Sequence, residues 1–421
     1  MTGPHNIPHW DYGTCANGNR APSSSSSGLM LREHGIVAVA QPEVVQNYLF
    51  PISDMLADKI LTYRESVNKL MDADTTAEKH KLLIIAGPTT ITSPIQSKFC
   101  AQWISKLCGK RIYNAVVPSS DKIPTKLADT LQDIYSEELD CSGSVMLAMR
   151  ANFTDYDQGA GPVRQSKEVM YGLPLYRTLM HELAKFCPLT VSLSNTISPQ
   201  YFSDLCCLGL VDSSLLESQL HRELVSGVSY PCGFQITECD NYKVGKGVEA
   251  MYASSFPHSF LTITKNGSVA QVETTGNQDT FIVLQMADDI ADSNFFKLLA
   301  AAGEDCANGS RLRVVVDVGE LHLANYERKT ALVLQLIQTQ RYYSGLLGFI
   351  VDSGNVYLPE EAQLEEINPM VYDRQEFVQF SNLGQKLINK SDKSAGETQK
   401  EDYVQFILAH SLIRTIVGVN S

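Results

Sequence analysis

Eight short, β-rich apolar runs punctuate the chain, and their rhythm constrains its fold more than any other feature. They are LLIIAG (82–87), SVMLAMR (144–150), PLTVSLSN (188–195), GLVDSS (209–214), PCGFQ (231–235), FIVLQ (281–285), RVVVDVG (313–319) and GLLGFIVDS (345–353). Continuous apolar runs of this length mark strands buried on both faces, as in parallel sheets. Amphipathic stretches such as PQYFSDLCCLG and YERKTALVLQLIQTQRYY separate most of them, long enough for the helical crossovers that parallel strands require. Eight such units predict an α/β fold, a (β/α)8 TIM barrel. An open doubly wound sheet has fewer strands and a Gly-rich phosphate turn. No P-loop is present. Gly245 and Gly247 are followed by Ala250, and the preceding ITECDNY is not the buried strand a dinucleotide fingerprint needs.

Outside that rhythm the chain divides by composition. Residues 1–28 are rich in Gly, Pro, Asn and Ser and read as a disordered leader. Residues 29–80 form an N-terminal helical extension, with a helical apolar period from 43 to 72 that breaks at Pro51. The barrel then occupies 81–421. Between its fifth and sixth runs, FLTITKNGSVAQVETTGN (260–277) reads as an inserted β-hairpin around Asn266-Gly267. Residues 383–402 are polar and read as a surface loop before a last helix at 403–417.

Charge and cysteine usage exclude several classes. With 34 Lys and Arg against 47 Asp and Glu, the net charge is −13, which disfavours a nucleic-acid or anionic-membrane binder. Ten cysteines are scattered through apolar segments without C-x-x-C spacing, the pattern of reduced thiols in a cytoplasmic protein. No run approaches the ~18 apolar residues of a membrane span, and residues 1–28 hold no signal-peptide core. Without a secretory signal, the glycosylation patterns at Asn152 and Asn266 carry no meaning.

Residues 195–235 read NTISPQYFSDLCCLGLVDSSLLESQLHRELVSGVSYPCGFQ, followed later by PHSFLTITKNG and TTGN. These strings closely resemble the class I DAHP synthases, which condense phosphoenolpyruvate with erythrose 4-phosphate at the head of the shikimate pathway. The resemblance runs from about Leu31 to the last helix. It implies a (β/α)8 barrel with an N-terminal extension and an extra hairpin, assembled as a dimer or tetramer.

The same resemblance exposes the chain's departures, because barrel chemistry sits at the C-terminal ends of the strands. Where the family has a metal-binding thiolate after Gly-Pro, this chain has Thr89. Arg150 keeps the family's phosphoenolpyruvate arginine, but the following ANFTDYDQGAGPV is acidic, with Asp155 and Asp157 where cations are expected. Ser192 replaces a Glu. Ser214, Gln235 and Gln285 replace two phosphate arginines and a lysine, and Glu320 stands at the metal-binding His. Asp352 replaces a Glu, and Val378 falls on the last metal-binding Asp. A hydroxyl and an alkyl group do not replace a thiolate and a carboxylate on a divalent cation, so no metal and no cofactor is expected. DAHP synthesis is not expected either.

Two readings follow. In the first, a repurposed barrel enzyme takes a small non-phosphorylated acid or amine-bearing molecule in its mouth. Arg150, Thr89, Ser192, Ser214, Gln235 and Gln285 bind it. Glu320 and Asp352, expected to face each other, serve as an acid–base pair, and His221 is a further candidate. The plainer alternatives are Arg150 paired with Asp155 or Glu320, an acidic rim at Glu320 and Asp352, and an architectural His221 in ESQLHREL. In the second reading the protein is a pseudoenzyme that regulates or scaffolds an authentic DAHP synthase.

Overall fold

The computed structural model describes residues 40–72, 81–91, 94–108, 139, 141, 143–152, 165–237, 240–286, 295–297, 299, 312–339, 345–354 and 398–420. The leader 1–28, Asp155, Asp157, Val378 and the loop 383–397 lie outside these residues. The described residues form ten strands: β1 Leu82–Gly87, β2 Val145–Arg150, β3 Leu189–Ser192, β4 Leu208–Val211, β5 Cys232–Ile236, β6 Ser259–Ile263, β7 Val269–Glu273, β8 Thr280–Gln285, β9 Val314–Asp317 and β10 Leu346–Asp352. Eight close into a parallel barrel in the order β1-β10-β9-β8-β5-β4-β3-β2, and each barrel strand falls within one residue of an apolar run.

The longer helices are α1 Asp54–Asp72, α2 Pro94–Leu107, α3 Gln165–Ala184, α4 Gln219–Gly227, α5 Asn241–Ser254, α6 Tyr326–Thr339 and α7 Thr398–Asn420. The last begins five residues before the predicted 403, so 398–402 is helix rather than loop. Helix α6 shows why these segments form: Lys329, Leu332, Val333, Leu336 and Ile337 make one buried stripe at helical spacing.

Two apolar clusters divide the core. Leu83, Ile85, Ala148, Leu208, Leu210, Phe281, Val283, Val315, Leu347 and Ile350 fill the barrel interior. Their alternate neighbours, including Ile84, Leu147, Phe234, Ile282 and Val316, pack outward against the helices. Val67, Leu70 and Met71 of α1 join the interior cluster, and Arg313, just before β9, donates to the Met71 carbonyl at 3.1 Å. Helix α1 therefore covers the N-terminal end of the barrel. The interior face is left to open at the C-terminal ends.

The inserted hairpin pairs β6 with β7 antiparallel, from Ser259↔Glu273 to Ile263↔Val269. Gly267 at its tip takes φ +80°, a conformation only glycine adopts without strain. The N-terminal segment docks on it: Glu43 N donates to the Lys265 carbonyl at 2.8 Å. The same segment is held on the barrel side by Arg177, which donates to the Phe50 and Tyr201 carbonyls and forks onto Asp204 at 2.7 and 2.8 Å.

Candidate functional site at the barrel mouth

Strand parity selects what reaches the mouth, since every second residue points inward. Continuing the interior faces upward places Arg150, Gln285, Asp317 and Asp352 inside. Register extends the set: Thr190 lies beside Arg150, Ser192 beside Leu210, and Gln235 beside Val283.

At the centre is a closed triangle. Arg150 Nη2 lies 3.1 Å from Asp352 Oδ2 and donates to Thr89 Oγ1 at 3.0 Å. The Thr89 hydroxyl in turn donates to Asp352 Oδ2. The guanidinium also donates from Nε to the Pro88 carbonyl at 3.0 Å and from Nη2 to the Gly87 carbonyl at 3.3 Å. The second Asp352 oxygen accepts from Gly354 N at 2.9 Å. Arg150 and Asp352 are both buried, so each supplies the counter-charge that a buried ion needs. Of the expected partners of Arg150, Glu320 gives way to Asp352, and Asp155 lies outside the described residues. Beneath the triangle, the buried Cys100 thiol is hydrogen-bonded with Ser353, and burial pushes its pKa up to about 12.

Asp317 stands next in the interior. Its Oδ1 accepts from Gly319 N at 2.9 Å. Burial holds its carboxyl above the usual range and the Asp352 charge adds to that, while Arg150, Gly319 and Lys329 pull the other way. Lys329 reaches the same place from α6. Its Nζ is buried and donates to the Glu320 carbonyl at 2.9 Å.

Several sequence-predicted positions lie elsewhere. Glu320 does not face Asp352. Its side chain is 70% exposed and pairs with His322 at 3.4 Å, because it sits three residues past Asp317 in the loop and outside the strand's parity. Ser214 is exposed and turned back onto Asp212, donating from N at 2.9 Å and from Oγ at 2.7 Å. His221 is buried in α4, with Nδ1 2.8 Å from Ser218 Oγ and Nε2 3.3 Å from the Ser194 carbonyl. A carbonyl only accepts, so Nε2 carries the proton and Nδ1 accepts from the serine. Burial lowers its pKa below 6.5. That histidine ties the loop after β3 to the start of α4.

Sequence reasoning passed over Thr190 and Lys329. Thr190 is fully buried in the interior, and its Oγ1 has no hydrogen-bond partner. Alternation from Ser192 would have found it. Lys329 was visible as the one charged residue on α6's buried stripe.

A family-wide sequence model described as the DAHP synthetase I family matches residues 68–390. The chain belongs to that family. The phenylalanine-inhibited phospho-2-dehydro-3-deoxyheptonate aldolase of Saccharomyces cerevisiae is 29% identical over 292 residues, which cover 68% of this chain and 70% of the yeast protein. The Phe-sensitive aldolase of Escherichia coli is 26% identical over 245 residues, 58% of this chain and 62% of that one. The phospho-2-dehydro-3-deoxyheptonate aldolase structure from Francisella tularensis superposes with a TM-score of 0.57 at 20% identity, covering 77% of this chain and 87% of that one. That likeness carries the fold alone.

The family's divalent metal does not fit the described residues. Thr89 offers a hydroxyl whose proton is committed to Asp352, and Asp352 faces a guanidinium at 3.1 Å. Glu320 points to the rim. Among the described residues no three His, Cys, Asp or Glu side chains converge as a metal set would. Nor is any described helix long and apolar enough to cross a membrane.

Proposed function

We propose that this DAHP synthase-family barrel has lost metal-dependent DAHP synthesis and acts without a metal on a small, non-phosphorylated acid or amine-bearing molecule. The Arg150–Thr89–Asp352 triangle carries this reading. A guanidinium and a hydroxyl proton already serve the carboxylate that would face a metal. The interior around it is polar rather than collapsed: Ser192, Gln235 and Gln285 are partly accessible, and Thr190 keeps an unmet hydroxyl. Neutral hydrogen-bonding groups around a compensated charge suit a small polar ligand better than two phosphates. Asp317 takes the place of Glu320 in the acid–base pair. Its carboxyl is held above the usual range chiefly by burial, which suits a proton donor, and Asp352 beside Arg150 is the second carboxylate of the pair.

The retained hairpin favours a second reading, regulation or scaffolding of an authentic synthase. Leu261 and Val269 are each 73% exposed on it, beside the docked N-terminal segment. The deciding experiment incubates purified protein with phosphoenolpyruvate, erythrose 4-phosphate and Mn2+, follows phosphate release, and analyses co-purified small molecules by native mass spectrometry. No phosphate release, together with a bound organic acid or amine, is expected. Turnover with stoichiometric metal overturns the proposal. Protein that holds no ligand but sediments with an authentic synthase selects the second reading.

A further inference from the structure

Three polar side chains on one side of the mouth are left without a hydrogen-bond partner among the described residues. Thr190 is fully buried inside the barrel, and nothing bonds its Oγ1. Valine has the same shape, and a hydroxyl buried without a partner costs free energy that valine would avoid. Packing alone therefore gives no reason for a threonine. Ser192, the next inward residue on β3, and Gln235 on β5 are partly accessible, and no described group hydrogen-bonds either side chain.

Register brings the three to one sector of the barrel. Thr190 is level with the interior Leu208 of β4, Ser192 with Leu210, and Leu210 with Gly233, two residues below Gln235. β3 and β5 flank β4, and alternate strands supply the side chains of one barrel layer. The charges lie on the other side of the mouth. The side-chain hydrogen bonds of Arg150 go to Gly87, Pro88 and Thr89 at the end of β1, and its counter-ion Asp352 ends β10. β3, β4 and β5 contain no charged residue. An ion placed against them would lose its water without meeting a counter-charge. A hydroxyl or a carboxamide, by contrast, both donates and accepts, as two hydroxyls and an amide do.

We propose that Thr190, Ser192 and Gln235 bind an uncharged hydroxyl or carboxamide group of the ligand, with Thr190 as the floor of the seat. The inference rests on the reading that the mouth binds a small molecule. It adds that this molecule carries such a neutral group beside its acid or amine. The Thr190 hydroxyl is then a cost to the empty fold that the bound ligand offsets.

Glycolamide, which carries both groups, serves as the probe: it is titrated into the dialysed full chain and followed by saturation-transfer NMR, and thermal midpoints are measured without it. Wild type is expected to bind it, Thr190→Val to weaken that binding tenfold or more, and Thr190→Ser to keep most of it. Ser192→Ala and Gln235→Leu should each weaken it as well. Without the probe, the midpoint of Thr190→Val should equal or exceed that of wild type. A lower midpoint in Thr190→Val, or its failure to fold, means that the hydroxyl serves the fold, and overturns the proposal. Equal affinity in wild type and Thr190→Val overturns it too, while leaving a ligand-binding mouth intact. Absence of glycolamide binding in wild type has the same force, and a co-purified acid or amine would then sustain the broader reading alone.

Discussion

Asp352 shows how far one side chain's role depends on what it touches. By sequence it is a carboxylate at a strand end, free to pair with Glu320 or to meet a cation. In the barrel it is the counter-ion of Arg150 and the acceptor of the Thr89 hydroxyl. Replacing it with alanine strands a buried guanidinium, at a cost of about 3–5 kcal/mol. Glu320→Ala, on the exposed rim, should change stability by no more than about 0.5 kcal/mol. Urea unfolding of the two variants measures that contrast, and similar losses would mean the two carboxylates do share a site. The kept Arg150 and the altered Thr89 were legible as site residues. Asp352 was legible too, as a strand-end carboxylate, but its pairing with Arg150 rather than Glu320 was not, because β10 carries a register shift between Leu346 and Gly348 that changes which residues lie level across β9 and β10. No periodicity in the chain reports such a shift.

At the scale of elements, His221 joins the loop after β3 to α4 through Ser218 and the Ser194 carbonyl. Its pKa is lowered in the folded state, chiefly by burial. On acidification the unfolded chain therefore takes up the proton first, near pH 6.5, and the folded chain later. Stability from this site is complete above that pH and declines as pH falls through it. Wild type should lose more stability than His221→Gln between about pH 7.5 and pH 5.5. An identical pH dependence in chemical denaturation would count against a buried neutral histidine. The barrel strands were legible because burial on both faces writes an unbroken apolar run, and the hairpin because Asn266-Gly267 sits between alternating segments. The start of α7 was not, because TQKED is polar and helical polar sequence carries no apolar period to read.

Taken whole, the molecule keeps its family's barrel while its mouth is internally neutralised, with Arg150 and Lys329 set among Asp317 and Asp352. A resident divalent ion would stabilise the native state by about 2.7 kcal/mol at a hundredfold excess over its Kd, which moves a thermal midpoint by a few degrees. Neither EDTA nor added Mn2+ is expected to shift the midpoint of this protein beyond measurement error. A clear loss of stability on chelation would restore a metal to the site.

Closure of the ring has a consequence for how the polypeptide is made. β1 finds one of its two neighbours, β2, early, but the other is β10, whose last residue Asp352 pairs with Gly87. During synthesis the outer edge of β1 therefore has no native partner until nearly the entire barrel has left the ribosome, which leaves a strand edge open to wrong pairing. The Arg150–Thr89–Asp352 contacts straddle that seam. The two that Asp352 makes, to Arg150 and to Thr89, form only when the final strand docks in the correct alignment, so they act as a clasp that rewards the finished ring over any shorter, misaligned one.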